Sequence, residues 1–395
     1  MKHYDYIFAG AGLSALMSVY KMVLSGKFED KNILLIDQDA KRTNDRTWSY
    51  WEKGAGKWED IVFKTWDSAV FADAESRRVL HLKPYSYKSI RGLDFYKKVF
   101  DSISKEENIT FINQKVTQIE GKSRFIVVKS ESDSYSCDKL FNSIYDKTIV
   151  AKQVKYPVLQ QHFVGWFVKS KQPAFDAGVA TFMDFSVEQK GNTRFMYVLP
   201  TSETEALIEY TLFSADLLEK RDYEEAIEDY MQKLGIIDYT IVEKEQGSIP
   251  MTCYPFWKKD TVDILHIGTA GGWTKASTGY TFRNADKKSD QLVAFLQKHS
   301  DLRSFRKENM FWYYDMLFLD ILYRSNQRGS EIFSSLFKKA SPGIIFKFLD
   351  EETSFVEDLQ VILSCPKRLF VSAFFQRIIG RKSLSRHNKS LSVER

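Results

Sequence analysis

Tyr4-Asp5-Tyr6-Ile7-Phe8-Ala9-Gly10-Ala11-Gly12-Leu13-Ser14-Ala15 opens the chain with an apolar run that breaks into a glycine turn. Residues 4–9 read as a strand, and 16–24 continue as a helix that Gly26 can end in a left-handed conformation. Residues 32–37, Asn-Ile-Leu-Leu-Ile-Asp, form a short apolar run closed by an acid, as expected of a strand buried on both faces. Gly10, Gly12 and Ala15 give G-x-G-x-x-A between strand and helix. The first glycine permits the tight turn and the second lets backbone approach a pyrophosphate. The small third residue allows helix and strand to pack closely, and the helix N-terminus attracts phosphate. Asp37 stands at the end of the second strand, where a carboxylate can bond ribose hydroxyls. The pattern predicts a Rossmann-type dinucleotide site, and hence an α/β fold.

Beyond this unit, short β segments dominate 109–150, with strands expected at 110–112 and 124–129. Residues 156–213 are also β-rich, with strands expected at 161–168, 180–185, 195–199 and 207–213. Residues 215–234 read as a charged helix, and 262–267 as a second apolar strand running into a glycine-rich loop, 268–279. From 286 onward the periodicity is mostly helical. With neither a clean linker nor an internal repeat, two domains are expected to interleave. The division expected is 1–85, 86–155 and 251–300 for the nucleotide domain and 156–250 for a β-sheet substrate domain, with 301–395 a helical region and basic tail.

Composition narrows the function. The 395 residues carry 57 Lys and Arg against 52 Asp and Glu, a net charge of +5. So mild and dispersed a charge gives no reason to expect a nucleic-acid partner. Aromatics make up 15% of the chain, enough to fill a core and still line an apolar pocket. Cys137, Cys253 and Cys365 are odd in number and far apart, which points to a reducing cytoplasm. The six histidines show no metal-binding spacing, so no metal is expected. The run 7–17 has the look of a secretion signal's apolar centre, but Asp5 stands where positive charge belongs and the nucleotide turn explains it better. No apolar run is long enough to span a membrane, which leaves a soluble or peripheral protein.

The order of these parts, an N-terminal fingerprint, a β-rich middle and a downstream glycine loop, resembles the flavoprotein hydroxylase-like group, whose first nucleotide site holds FAD. Ser89-Ile90-Arg91-Gly92-Leu93-Asp94 is a weaker match to that group's Arg-containing helix start. Three segments are more specific. They are Asn44-Asp45-Arg46-Thr47-Trp48-Ser49-Tyr50-Trp51-Glu52; Arg194-Phe195-Met196-Tyr197-Val198-Leu199-Pro200, continuing through Leu207-Ile208-Glu209-Tyr210-Thr211-Leu212-Phe213; and Ile249-Pro250-Met251-Thr252 with Ile267-Gly268-Thr269-Ala270-Gly271-Gly272-Trp273-Thr274-Lys275-Ala276-Ser277-Thr278-Gly279-Tyr280. Together they closely resemble the bacterial lycopene cyclase family, over most of residues 1–325.

The resemblance implies cyclisation of the linear ends of lycopene, or of other acyclic carotenoids, to β-rings, with FAD and NAD(P)H as cofactors. Such chemistry needs a carboxylic acid kept protonated in an apolar, aromatic pocket, because desolvation raises a carboxyl pKa. The resemblance assigns that role to Glu209; by pattern alone it reads as a solvent-facing residue of an alternating strand. Asp45 and Arg46 are expected at the cofactor, on the adenosine side. Gly268, Thr269, Gly271, Gly272 and Gly279 are expected to present backbone to the flavin and its phosphates. Flavin hydroxylases carry Gly-Asp where this chain has Gly268-Thr269, which argues against an ordinary hydroxylase. Trp48, Tyr50 and Trp51 either line the polyene or fill the core, and Tyr210 joins them as a pocket candidate. Residues 137–142 depart from the regular apolar strand that would complete the nucleotide fold. A prenyl-chain reductase or monooxygenase on the same scaffold is the alternative. From Leu336 on, apolar and basic residues alternate in clusters such as Lys367-Arg368-Leu369-Phe370 and 374–382, which predicts a helix lying on the inner face of the cell membrane.

Overall fold

The computed structural model describes residues 1–305 and 309–391, with side chains as far as Ile379 in the last helix. The chain forms two compact units, the first comprising Met1–Asp67, Lys83–Tyr156 and Cys253–Asn309. The second comprises Ser68–Leu82, Pro157–Thr252 and Met310–Arg395.

The first unit is built on β1 (Lys2–Ala9), β2 (Ile33–Asp37), β8 (Ile109–Asn113), β9 (Val116–Gly121), β10 (Ile126–Ser130), β11 (Ser134–Asn142) and β17 (Ile264–His266). Their order is β8-β2-β1-β11-β10-β9, with β17 beside β11. From β8 through β11, and on to β17, neighbours run parallel, while β9 and β10 close the far side antiparallel. β1 and β2 alternate their side chains between two cores. Phe8, Ile33 and Leu35 face one, and Ile7, Ala9, Leu34 and Ile36 face the other, as a doubly buried strand requires. Helices α1 (Leu13–Ser25), α2 (Gly92–Ile103) and α5 (Phe282–Leu296) cover the first core, and short α3 (Lys147–Ala151) follows the sheet. Gly26 caps α1 at φ 59°, the left-handed stop expected of it. Small side chains let α1 and α5 approach closely, with Ser18 Oγ 3.0 Å from Ser289 Oγ. A three-stranded sheet, β3 (Thr47–Lys53), β7 (Tyr85–Arg91) and β4 (Val62–Trp66), completes the unit.

Residues 137–142 are not the irregular feature that their composition suggests. They form the end of β11, which lies beside β1, with Cys137, Leu140 and Phe141 fully buried. The strand expected over 262–267 is shorter, three residues long.

The second unit is a seven-stranded sheet in the order β16-β12-β15-β14-β13-β5-β6. Its strands are β5 (Ser68–Ala72), β6 (Arg77–His81), β12 (Leu159–Ser170), β13 (Val179–Asp184), β14 (Thr193–Pro200), β15 (Glu205–Ser214) and β16 (Tyr239–Met251). Residues 68–82 therefore leave the nucleotide domain expected for them, because Ser68 pairs in parallel with Val179. One face is sealed by α4 (Lys220–Lys233), whose Tyr223, Ile227, Tyr230 and Met231 pack on Val164, Trp166, Ile208, Tyr210 and Leu212. The helices α6 (Met310–Arg324), α7 (Gly329–Lys339), α8 (Pro342–Leu349), α9 (Phe355–Ser364) and α10 (Lys367–Leu391) complete this unit. Phe333 of α7 packs against Phe185 and Phe213 of the sheet's other face, and against Phe318 of α6.

Candidate active site

In the first unit, the glycine turn sits at the carboxyl end of β1, the position that a doubly wound sheet offers to a nucleotide. Gly10 takes φ +86°, which a side chain would resist, and Ser143 lies against it, donating to Gly10 O at 2.8 Å. Gly12 is the N-cap of α1, and no side chain caps that helix. A Cβ built on Gly12 meets nothing within 4 Å. The turn therefore opens onto free space in front of helix amides that have no intrahelical acceptor. Ala15 is fully buried against the sheet.

Asp37 faces this turn. Its Oδ2 accepts the Ala11 N–H at 2.6 Å, its Oδ1 accepts the Asp39 N–H at 2.8 Å, and Lys41 Nζ lies 3.5 Å away. Asp45 accepts from Tyr96 Oη at 2.9 Å and pairs with Arg46 at 2.7 Å. Arg46 O accepts the Gly92 N–H at 2.8 Å, so this acid–base pair is tied to the start of α2. The downstream loop belongs to the same unit. A Cβ on Gly268 would lie 3.2 Å from Ser14 Oγ, so the second glycine loop runs against the first turn of α1. Gly268–Gly271 make one 3-10 turn, which Gly272 ends at φ 67°. Gly271 admits no side chain, because its Cβ would sit 2.0 Å from His266 O. Thr269 Oγ1 lies 3.2 Å from Thr274 Oγ1, and Gly279 turns at φ +72°. Thr278 Oγ1 is buried with no hydrogen-bond partner among the described residues. A cradle of backbone at Gly12, two glycine loops side by side and an unsatisfied hydroxyl suit a dinucleotide.

The aromatic candidates separate. Trp48 packs on Phe95, Tyr96 and Phe282, and Tyr50 stacks on Phe282 at 4.7 Å, so both fill the core of the first unit. Trp51 points to the opposite face of the three-stranded sheet, in one row with Tyr87 and Trp66, its ring 4.6 Å from Tyr280. Tyr210 belongs to the face that α4 covers, where its Oη accepts from Arg194 at 3.2 Å. It does not share a face with Glu209.

Glu209 lies in the middle of β15 in the second unit, and only 7% of it is exposed. The solvent-facing reading of its alternating strand fails because both faces of β15 are buried. Its face also carries Phe195, Tyr197, Leu207, Phe213 and, on β12, Phe163. Burial among these groups pushes its carboxyl up to about 8, with the charge of Glu245 adding to the rise. The hydroxyl of Thr211, which donates to Glu209 Oε1, works the other way. At neutral pH the group is therefore an acid in a nearly dry, aromatic setting, able to give up one proton and take one back. Thr211, Tyr197 and Glu245 escape sequence reasoning, although the isolated Gly165 inside a strand pattern is a signal of close approach that could have led to Glu245.

Residues 5–376 match the family model described as lycopene cyclase protein. A lycopene β-cyclase of Pantoea ananas is 25% identical over 308 residues, which are 74% of each chain. Among solved structures, a geranylgeranyl bacteriochlorophyll reductase-like protein of Thermoplasma acidophilum superposes with a TM-score of 0.59 at 10% identity, covering 94% of this chain and 98% of its own. A halogenase in complex with FAD gives a TM-score of 0.55 at 10% identity, over 87% of this chain and 78% of the halogenase. The fold is shared across proteins of quite different chemistry, so it does not name a reaction.

Proposed function

The chain belongs to the lycopene cyclase family, and from that membership we propose that it is a lycopene β-cyclase, closing the linear ends of lycopene into β-rings with bound FAD. Glu209 delivers a proton to the terminal double bond and leaves a tertiary carbocation. The neighbouring double bond attacks that carbon, which closes the six-membered ring and moves the positive charge to a ring carbon. Glu209, now a carboxylate, removes a proton from the adjacent ring carbon and is restored. One proton enters and one leaves, and no electrons are exchanged. Phe163, Phe195 and Tyr197, on the same face as Glu209, are the aromatic rings near enough to favour the positive charge. The single observation that carries this reading is the buried, proton-holding carboxyl of Glu209.

FAD would be held by Gly10, Gly12 and Ala15 at the pyrophosphate and by Asp37, Asp45 and Arg46 toward the adenosine, with Gly268, Thr269, Gly271, Gly272 and Gly279 toward the flavin. Bound in its reduced form it would supply negative charge against the carbocation, and NAD(P)H would serve only to keep it reduced. The halogenase that binds FAD on the same fold supports this choice of cofactor.

Lycopene is nearly insoluble in water, so the protein has to collect it at a membrane surface. No helix among the described residues is long and apolar enough to cross a bilayer. The large apolar side chains left exposed on α9 (Phe355, Val356) and on α10 (Phe375, Ile379), together with exposed Lys367 and Arg368 at the start of α10, support a peripheral attachment to the inner leaflet. Side chains from Gly380 on, Arg381 and Lys382 among them, lie outside the described residues.

Expression in lycopene-accumulating bacteria, with chromatography of the pigments, tests the reading. Cyclic carotenoids are expected, without consumption of NAD(P)H in proportion to product. Unchanged lycopene beside soluble, flavin-loaded protein refutes it. Stoichiometric consumption of NAD(P)H points instead to a reductase or monooxygenase on this scaffold.

A further inference from the structure

A row of residues crosses four strands of the second sheet at one level. Tyr197 on β14 stands opposite Glu209 on β15, Glu209 opposite Gly165 on β12, and Gly165 opposite Glu245 on β16. Residues in register share a face, so three side chains of this row stand on one side and the remaining position carries none. Glycine inside a long strand weakens it unless something must come close. A Cβ at Gly165 would lie 2.9 Å from Leu207 Cδ1, 3.3 Å from Glu245 Cγ and 3.5 Å from Glu209 Cβ. The two acidic side chains therefore converge on the glycine from either side, with Leu207 packed over its backbone. Two neighbouring carboxyls resist ionising together, and the better solvated one ionises first. Glu245 is half-buried on the edge strand of the sheet, whereas Glu209 is buried at its centre. Burial at the centre of the sheet, with the charge of Glu245 beside it, favours the protonated form of Glu209.

Resting on the cyclase reading, we propose that Glu245 is a positioning residue for Glu209: reaching over Gly165, its carboxylate keeps the proton on Glu209 and so keeps the acid loaded between turnovers. Other titratable groups face Glu209 from the strands around it. Tyr197 lies on β14, Glu243 lies one pleat along β16, and Glu205 on β15 is held by Lys169 at 2.9 Å. Of the helices packed on the sheet, α6 carries the buried Asp315 and the Asp320 that pairs with Arg377 at 2.5 Å. Glu331 of α7 pairs with Arg328. Among the described residues, Glu245 is the neighbouring charge that acts on Glu209.

The test uses the whole flavin-loaded protein. Infrared difference spectroscopy reads the C=O stretch of a buried, protonated carboxyl across neutral and alkaline pH. In the wild type the band should be lost around pH 8, following Glu209, and E209Q should lack it. E245Q removes the charge and should lower that midpoint by about one unit. E245D keeps the charge and should hold it within a few tenths of the wild-type value, an outcome that loss of packing would not give. The alkaline limb of kcat should move with the band while KM stays. A band that titrates alike in wild type and E245Q overturns the proposal, as does an E245D shift equal to that of E245Q. The two readings fail separately. If no cyclic product forms at any pH while the band still responds to E245Q, the cyclase reading falls and the carboxyl pair stands. If product forms and the band ignores E245Q, the pair falls alone.

Discussion

Thr211 donates its hydroxyl hydrogen to Oε1 of Glu209 from two positions further along β15, on the same face of the sheet. A hydrogen bond of this kind favours the charged carboxylate and so opposes the effect of burial. Thr211→Val keeps the shape and removes the donor. The Glu209 carboxyl should then rise by roughly half a unit to one unit, taking a lost hydrogen bond as about 1 kcal/mol. The alkaline limb of the rate profile should move to higher pH, the direction opposite to that of Glu245→Gln. Below the limb kcat should fall several-fold, since the acid has lost the group that orients it. A limb that moves to lower pH would show that Thr211 supports the protonated form instead.

Glu209→Gln should abolish ring formation, because the amide keeps the volume and cannot deliver the proton. General acid–base groups contribute about 10²- to 10⁴-fold in rate, so a variant retaining more than roughly a tenth of wild-type activity removes Glu209 from the mechanism. Stability gives a second readout with a definite sign. Burial pushes the folded carboxyl up to about 8, from its ordinary value of 4.5. The buried group thus favours the folded state fully only below the lower figure, and that contribution is lost as pH rises toward the higher one. The melting temperature of Glu209→Gln relative to wild type should therefore increase from pH 5 to 8 and level off above. A constant difference would mean that Glu209 is already ionised in the folded protein.

The nucleotide half of this fold was legible because its signals are local. Gly10, Gly12, Ala15 and the run ending in Asp37 lie within one strand–helix–strand unit, and the Cap at Gly26 is a one-residue conformational argument. What stayed hidden depends on pairing between distant residues. Ser68–Ala72 carries no local sign of where it belongs, and only its parallel neighbour at 179–184 carries it into the second unit. Glu209 alternates with Ile208 and Tyr210 as a solvent-facing residue would, and is dry because Phe195 of β14 and Phe163 of β12 join Phe213 of its own strand on the same face. Tyr210 looked like a pocket residue for its adjacency to Glu209, but adjacency in a strand places two side chains on opposite faces. Trp48 and Tyr50 belong to the core rather than a pocket because of Phe282, more than two hundred residues on, which stacks on Tyr50 and packs at an angle against Trp48.

Gly12→Val separates cofactor binding from folding. A Cβ at this position meets no protein atom within 4 Å, so the variant should fold as the wild type does. Branched carbons would nonetheless occupy the space through which backbone must approach a pyrophosphate. The purified variant should carry less than about a tenth of the wild-type FAD, while the flavin-free variant melts within a few degrees of flavin-free wild type, since a branched residue at this N-cap costs about 1 kcal/mol. Stoichiometric FAD in the variant would place the pyrophosphate elsewhere.

The proposed attachment to a membrane rests on the last two helices. Phe355 is 79% exposed, Val356 74%, Ile379 65% and Phe375 57%, an unusual set of large apolar side chains to leave in water. Lys367 and Arg368 are exposed at the start of α10, and Lys338 and Lys339 at the end of α7. Apolar groups entering the headgroup region would contribute about 1.5 to 3 kcal/mol each, and each basic residue near anionic lipid about 1 kcal/mol. Deleting α10 would be a poor test, because Arg377 on it pairs with the buried Asp320 of α6, which would be left uncompensated. Phe375→Asp with Ile379→Asp leaves that ion pair intact and changes only exposed positions. The double variant should keep its melting temperature and flavin content while its partition onto anionic liposomes falls tenfold or more, as the loss of two such side chains implies. Raising the salt should weaken wild-type binding further, through the lysine and arginine contribution alone. Undiminished co-sedimentation of the double variant would assign the attachment to another surface of the protein.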